Sequence, residues 1–368
     1  MKKRTVLATL LFLTICLASC KVGRFLYYNF ANITDYKIFP SRELTNDSVK
    51  FEYFRAEPDK VKAPKKINYN NEAVTFDDFL EDNKTVAFII IKNDTIQYEK
   101  YFDGYNEESV VASFSMAKSI TSILIGCAID DGFIQSVDEP IVNYIPELME
   151  NGLDKVTIKH LLQMSSGIKF NESYANPLGD AATFYYGTNL RKAIKKMKPE
   201  YNPGLGFSYS SGDTQVLGLV LERSLKGKTI TQYLHEKIWQ PLGMEYSASW
   251  SLDRKENGLE KTFCCVNARA RDFAKIGRLY LNKGNWNGTQ IVSQKWVEES
   301  TKASIGAGNV SYYKYQWWLG DNGSFMAKGI LGQYIYINPA KNLTIVRLGK
   351  NYGKASWESI FNSLAENY

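Results

Sequence analysis

The chain has 368 residues, of which 44% are apolar and 14% aromatic, a composition typical of a globular protein with material for one large or two medium-sized domains. Its formal charge is +6, but residues 1–19 carry three basic and no acidic side chains, so the remainder carries only +3. Because the other basic residues are interleaved with acidic ones and form no stripe, we expect no nucleic-acid partner.

The first twenty residues have the features of a secretory signal. A basic start, Met1–Arg4, precedes fourteen mostly apolar residues, 5–18. The last two of these begin the sequence Leu17-Ala18-Ser19-Cys20. The apolar run is too short for a typical membrane-spanning helix. The last four residues resemble the lipobox of bacterial lipoproteins, in which the cysteine is acylated and becomes the new first residue. We therefore expect a signal peptide over 1–19 and a lipid anchor on Cys20; an ordinary signal peptide is the alternative. The anchor would hold the protein in a bacterial cell envelope, facing the periplasm or in the outer membrane.

The rest of the chain has strand patterns near both ends and helical patterns between them. Residues 20–72 predict a tether and an irregular N-terminal arm, followed by one catalytic domain over 73–368. Within that domain, 86–102 predict a β-hairpin and 133–240 a mainly helical insertion, while strand patterns return before a last helix from about Ser356. This order predicts an α/β (α+β) fold, in which an antiparallel sheet is built from both chain ends and flanked by helices.

The histidines and cysteines indicate neither a metal site nor a disulfide framework. His160 and His235 lie in amphipathic helical patterns and serve no G-x-S-x-G elbow, so a Ser-His-Asp hydrolase is disfavoured. Cys127 is predicted to be a buried thiol, and a bond between the adjacent Cys264 and Cys265 would be strained. We therefore expect no metal, no cofactor and no disulfide.

The spacing Ser-x-x-Lys occurs three times, and its context separates the three. Ser166–Lys169 lies in a glycine-containing loop, and Ser311–Lys314 lies in a strand pattern, where positions i and i+3 face opposite sides. Only Ser115 and Lys118 open a predicted helix, where the two side chains share a face. The helix that follows is apolar on most sides, so Lys118 is expected to be buried and able to act as a base. The alternative is a helix-capping serine followed by a solvated lysine.

Three segments in order resemble the serine β-lactamase and penicillin-binding-protein superfamily. They are Ser115-Met116-Ala117-Lys118, Tyr209-Ser210-Ser211 and Ala327-Lys328-Gly329. The resemblance covers about residues 75–366 and implies the β-lactamase/transpeptidase-like fold. Ser211 stands where the superfamily has asparagine, and Ala327 stands where it has a cation. These departures make the chain most similar to the esterase and 6-aminohexanoate-dimer hydrolase group.

The resemblance also implies the roles of individual residues. Ser115 would be the nucleophile that forms an acyl-enzyme, Lys118 and Tyr209 would move its proton, and Ser211 would take part in that relay. The backbone N–H groups of Ser115 and Ile330 would bind the oxyanion, beside the strand edge at Lys328 and Gly329.

Three functions follow as alternatives. The first is a serine hydrolase acting on a small ester or amide. The second is a D-alanyl carboxypeptidase or β-lactamase acting on cell-wall peptides or penicillins. The third is a non-catalytic surface lipoprotein that binds ligands.

Overall fold

The computed structural model describes residues 21–28, 30–46, 49–57, 61–69, 72–304, 306 and 308–368. Cys20 and the predicted signal peptide lie outside these residues. Within the described part of the chain, no helix is long and apolar enough to pass through a membrane.

The α-helices of the described residues are α1 (Lys21–Tyr28), α2 (Phe76–Asp82), α3 (Met116–Asp130), α4 (Ile158–Leu162), α5 (Asp180–Tyr186), α6 (Leu190–Ile194), α7 (Ser211–Ser224), α8 (Ile230–Leu234), α9 (Ala270–Leu281), α10 (Gln294–Thr301) and α11 (Trp357–Glu366). The strands are β1 (Ser41–Leu44), β2 (Phe54–Arg55), β3 (Lys66–Tyr69), β4 (Glu72–Thr75), β5 (Thr85–Lys92), β6 (Thr95–Tyr101), β7 (Val111–Ala112), β8 (Ala248–Ser251), β9 (Val266–Ala268), β10 (Asn285–Trp286), β11 (Thr289–Gln290), β12 (Tyr313–Lys314), β13 (Trp317–Leu319), β14 (Phe325–Gly329), β15 (Gln333–Asn338) and β16 (Leu343–Gly349).

Both ends of the chain meet in one eight-stranded sheet. Its order is β12-β13-β14-β15-β16-β5-β6-β2, and neighbouring strands are antiparallel except β2 and β6. β5 pairs with β16, which places Ile89 opposite Val346 although 257 positions separate them in sequence. The predicted antiparallel sheet built from both ends is therefore confirmed.

The central strands are buried on both faces because helices cover each side. Along β5, Phe88 and Ile90 pack in the cluster that holds α2 and α11, while Ile89 and Ile91 join the larger core that holds α3 and α9. Alternate side chains of a strand point to opposite faces, so a run of β-branched and aromatic residues fills both layers.

The N-terminal arm contains more regular structure than the sequence led us to expect. β1 pairs with β8 in a second, four-stranded sheet, β2 adds to the edge of the main sheet, and β3 pairs with β4. These strands are only two to four residues long and alternate poorly, so their pairing depends on tertiary partners and not on a local pattern.

The predicted helical insertion lies between β7 and β8 in sequence, two strands of the four-stranded sheet. Residues 133–240 form helices and loops, with only isolated bridges such as Pro140 to Thr157. Within this stretch, α7 packs against α3, which itself runs through the core with every residue from Met116 to Ala128 buried.

One buried arginine fastens the β15–β16 pair to the turn that precedes β15. The Arg347 guanidinium donates to the carbonyl oxygens of Gly332 and Asn83, each at 2.6 Å, and to Thr85 Oγ1 at 3.1 Å. It also lies over the Trp357 ring, at 3.8 Å from the centroid. This arginine therefore supports the turn that directly follows the third sequence motif at the end of β14.

We expect Arg347→Leu to lower the free energy of unfolding by about 3 kcal/mol, because several buried acceptors lose their donor. Urea denaturation followed by circular dichroism would measure this loss. The matched control is Arg55→Leu, since the Arg55 side chain is 65% exposed and Glu99 keeps its closer hydrogen bonds from Arg271; it should change stability by less than about 1 kcal/mol. Equal effects of the two substitutions would contradict the role assigned to Arg347.

Candidate active site

Ser115 is the N-cap residue of α3 and opens the candidate site. Phe114 before it has φ +45°, so the chain turns sharply just ahead of the helix. Because α3 is buried along most of its length, its first turn is held firmly in the core. Two cavities open at the Ser115 side chain.

Lys118 lies one helical turn beyond Ser115 and is 1% exposed. Its Nζ is 3.1 Å from Ser115 Oγ, 3.0 Å from Ser211 Oγ and 3.0 Å from the carbonyl oxygen of Phe263. No carboxylate contacts this ammonium among the described residues. The prediction that Lys118 is buried beside Ser115 is therefore confirmed by the geometry.

Ser211 connects Lys118 to a carboxylate that the sequence did not reveal. The Ser211 hydroxyl donates to Glu172 Oε1 at 2.6 Å, and the Ser211 backbone N–H donates to Glu172 Oε2 at 2.8 Å. Tyr174 also donates to Glu172, at 2.6 Å. Glu172 and Tyr174 lie in the long loop between α4 and α5, which has no periodicity that could have singled them out.

The three partners of Lys118 determine which proton its neutral amine can accept. A neutral amine has one lone pair, which needs a donor. The Phe263 carbonyl oxygen cannot donate, and the Ser211 hydroxyl already donates to Glu172. The Ser115 hydroxyl is therefore the remaining partner that can donate to Nζ, so the arrangement suits removal of a proton from Ser115.

Burial also brings Lys118 toward its neutral form. It lowers the pKa of the Lys118 ammonium from 10.5 to about 8, and the charge of nearby Glu172 offsets part of that effect. A substantial fraction of the amine is thus unprotonated in mildly alkaline solution.

Tyr209 lies on the other side of the lysine. Lys118 Nζ is 5.1 Å from the centroid of the Tyr209 ring, and that ring packs against Tyr313 and Trp318. Burial raises the pKa of the Tyr209 phenol, while its contact with Ser115 acts in the opposite direction. Tyr209 therefore stays protonated at neutral pH and is available as a proton donor.

The edge of β14 approaches Ser115 at Gly329. A Cβ at Gly329 would lie 2.4 Å from the Ser113 carbonyl oxygen and 3.2 Å from the Ser115 nitrogen, so only glycine permits this approach. The amides of Ser115 and of Ile330, just after the strand, donate no hydrogen bond within the described part of the chain. Two N–H groups are thus free near the nucleophile, as an oxyanion hole requires.

Lys328, also at this edge, does not present a free cation. Its Nζ forms an ion pair with Glu358 and lies 4.5 Å from the Trp318 ring centroid. Ala327, where the superfamily has a cation, is fully buried. The edge therefore lacks an obvious partner for a substrate carboxylate.

The structure gives the other candidate residues different surroundings. Ser166 donates to Asp213, and Lys314 is bound by Ser304 and Glu299. His160 takes part in the capping box of α4 with Thr157. None of these interactions involves Ser115.

The cysteine prediction was wrong at one position. Cys264 and Cys265 form a disulfide, whereas the sequence led us to expect none. Cys265 has φ +74°, so a tight turn follows Phe263 and brings the two neighbouring side chains together. Cys127 is buried and free, as expected. Within the described residues, no group of three His, Cys, Asp or Glu side chains could hold a metal ion.

The fold and site together define a serine hydrolase with a serine and a buried lysine one turn apart beside an antiparallel sheet edge. The model of the Beta-lactamase family matches residues 75–355. The chain therefore belongs to the β-lactamase family.

Individual relatives agree with this membership. The 6-aminohexanoate-dimer hydrolase of Paenarthrobacter ureafaciens is 28% identical over 292 residues, which is 73% of each chain. The solved structure named "Putative 6-aminohexanoate-dimer hydrolase from Bacillus anthracis" has a TM-score of 0.78 at 26% identity, over 93% of this chain and 94% of that chain. A family VIII carboxylesterase shares the fold, with a TM-score of 0.63 at 19% identity, over 79% of this chain and 95% of that chain.

We expect Glu172→Gln to move the pH dependence of hydrolysis to lower pH. In the parent protein, kcat/KM should rise with pH around the Lys118 pKa of about 8, because the base must be neutral. Glu172 favours the charged lysine, so removing the Glu172 charge lowers the pKa of Lys118.

Ester hydrolysis measured from pH 6 to 10 would record this shift. Glu200→Gln is the matched control, since Glu200 is exposed, and it should leave the profile unchanged. A shift to higher pH, or an unchanged profile in Glu172→Gln, would contradict the electrostatic link to Lys118.

Proposed function

We propose that the protein cleaves small carboxylic esters or amides through an acyl-enzyme on Ser115, with Lys118 as base and Tyr209 as the acid for the leaving group. The observation that carries this proposal is the position of Lys118 Nζ, 3.1 Å from Ser115 Oγ and buried without a carboxylate contact in the described residues. A family membership alone would not distinguish this base from others.

Acylation begins when Ser115 Oγ attacks the substrate carbonyl carbon and its proton passes to Lys118 Nζ. The carbonyl oxygen gains a negative charge and is held by the N–H groups of Ser115 and Ile330. As the bond to the leaving oxygen or nitrogen breaks, Tyr209 gives its proton to the leaving group and regains one from Lys118.

Deacylation repeats these transfers with water in place of the leaving group. Water attacks the acyl carbon and gives a proton to the Tyr209 and Lys118 pair. The bond to Ser115 Oγ then breaks, and Ser115 recovers its proton from Lys118. The products are a carboxylic acid and the regenerated enzyme.

The charges at the sheet edge favour this function over cleavage of penicillins or cell-wall peptides, whose recognition needs a partner for a carboxylate. Ala327 supplies no charge, and Lys328 is paired with Glu358. A purely binding role would leave the burial of Lys118 without a benefit, since a buried lysine costs stability.

We expect Ser115→Ala to abolish both labelling by a fluorophosphonate probe and hydrolysis of p-nitrophenyl esters, with kcat falling at least about 1,000-fold. The matched control is Ser166→Ala, because Ser166 opens another Ser-x-x-Lys spacing and bonds Asp213 instead. Ester turnover that survives in Ser115→Ala would overturn the nucleophile assignment. Strong labelling by a fluorescent penicillin would support the carboxypeptidase or β-lactamase alternative.

We also propose that the protein is a lipoprotein of the bacterial cell envelope, anchored through Cys20. Its support is the sequence Leu17-Ala18-Ser19-Cys20 after a charged and apolar start. One acyl chain binds membranes only weakly, so a stable anchor on Cys20 requires a second acyl chain or another membrane-binding signal.

We expect Cys20→Ser to move the protein from the membrane fraction to the soluble fraction of a bacterial lysate. Cys16→Ser serves as the control, because Cys16 lies inside the expected signal peptide and should be removed with it. Continued membrane association of Cys20→Ser after a high-salt wash would contradict the lipid anchor.

A further inference from the structure

The two cavities that meet at Ser115 differ in their lining. The larger has a volume of about 460 Å³, and the smaller about 280 Å³. Both sizes suit small-molecule groups. Ser115, Tyr174, Ile330 and Tyr352 border both cavities. A substrate whose carbonyl lies at Ser115 would therefore extend into both.

The position of Tyr209 assigns one half of the substrate to each cavity. Tyr209 borders the smaller cavity, together with Trp318 and Lys328, and does not border the larger one. Since Tyr209 is the proposed proton donor to the leaving group, that group lies in the smaller cavity. The acyl group consequently lies in the larger.

Among the residues that the structure describes, no charged side chain lines the larger cavity. Much of its lining is aromatic, and Phe25, Phe114, Tyr174, Tyr185, Tyr186 and Phe263 are among the residues that border it. Two of the lining tyrosines already donate hydrogen bonds to carboxylates: Tyr185 donates to Asp35, and Tyr174 donates to Glu172. A charged group in this cavity would lose its hydration without an ionic partner in the lining.

One wall of this cavity comes from the N-terminal segment that begins directly after Cys20. Phe25 of α1 packs edge-on against Tyr186 of α5, with 5.6 Å between ring centroids. Phe30 and Ala31, just beyond α1, continue the wall. The segment thus packs on the domain and contributes part of the cavity lining.

We propose, on the basis of the acyl-enzyme mechanism above, that the larger cavity selects substrates with an uncharged, apolar acyl group of medium length or with an aromatic acyl group, and that Phe25 is a specificity-determining residue for it. The acyl half of 6-aminohexanoate dimer ends in an ammonium group, which this lining does not accommodate. The protein would therefore prefer substrates different from the one that its 28% identical relative is named for.

A set of three p-nitrophenyl esters tests the preference: acetate, heptanoate and 6-aminohexanoate. The last two have the same length and differ in a terminal methyl against an ammonium. Each buried methylene is worth about threefold to fourfold in binding, so heptanoate should exceed acetate at least about tenfold in kcat/KM. Heptanoate should also exceed 6-aminohexanoate at least about 100-fold, because the ammonium must be desolvated.

Substitutions on α1 test whether Phe25 determines the preference for the acyl group. Phe25→Ala should lower kcat/KM for heptanoate about tenfold and leave acetate within about twofold. Tyr27→Ala is the matched control, since Tyr27 is on the same helix, is 82% exposed and does not border the cavity. Tyr27→Ala should leave kcat/KM unchanged for both the heptanoate and the acetate ester.

The outcomes separate this inference from the proposed function. If fluorophosphonate labels Ser115 but the three esters react equally, or 6-aminohexanoate reacts best, the acyl selectivity is wrong and the serine mechanism stands. If Phe25→Ala and Tyr27→Ala behave alike, Phe25 does not determine specificity. If no ester reacts and Ser115 is not labelled, the proposed function itself fails.

Discussion

The site depends on one buried ammonium group. Lys118 Nζ needs three acceptors inside the core, and it obtains them from three separate segments: the start of α3, the start of α7 and the turn at Phe263. Burying an amine without a carboxylate is unfavourable unless its hydrogen bonds are satisfied, so these segments are held at one mutual position. The same constraint brings its pKa to about 8, within reach of a proton transfer.

Ser211 keeps the contacts of Lys118 in place although the superfamily has asparagine at this position. A serine hydroxyl can accept from Lys118 while donating to Glu172, and that dual role is also open to an asparagine amide. Glu172 influences the lysine electrostatically without touching it. The neutral form of the lysine therefore remains accessible, whereas a direct ion pair would stabilise its charge.

The sheet contributes the second half of the site. The turn after β14 presents the Ile330 amide near Ser115, and Arg347 fastens the following residues from beneath through Gly332. The close approach at Gly329 sets how near the strand edge comes to the helix. Chain segments more than 200 positions apart in sequence thus form one site, because the sheet joins both ends of the chain.

Much of this arrangement could be predicted from the sequence, and the parts that could not have physical reasons. Ser115 and Lys118 could be distinguished because they open an apolar helical pattern. The strands at both ends could be predicted from their β-branched runs. Glu172 was missed because it lies in a loop whose shape depends on tertiary contacts. The Cys264–Cys265 disulfide was missed because adjacent cysteines pair only in a special turn, which residue types alone do not indicate. The contribution of Phe25 to the cavity lining was missed because the cavity is formed by segments that are distant in sequence.

The proposed mechanism requires that Lys118 is neutral often enough to act as the base for Ser115. Its titration can be followed directly by nuclear magnetic resonance of the protein labelled with ¹³C-lysine, with the Lys118 signal assigned by its loss in Lys118→Met. We expect a midpoint near pH 8. A midpoint near the ordinary value of 10.5 would contradict the role of Lys118 as base, because the amine would then be almost fully charged at neutral and mildly alkaline pH.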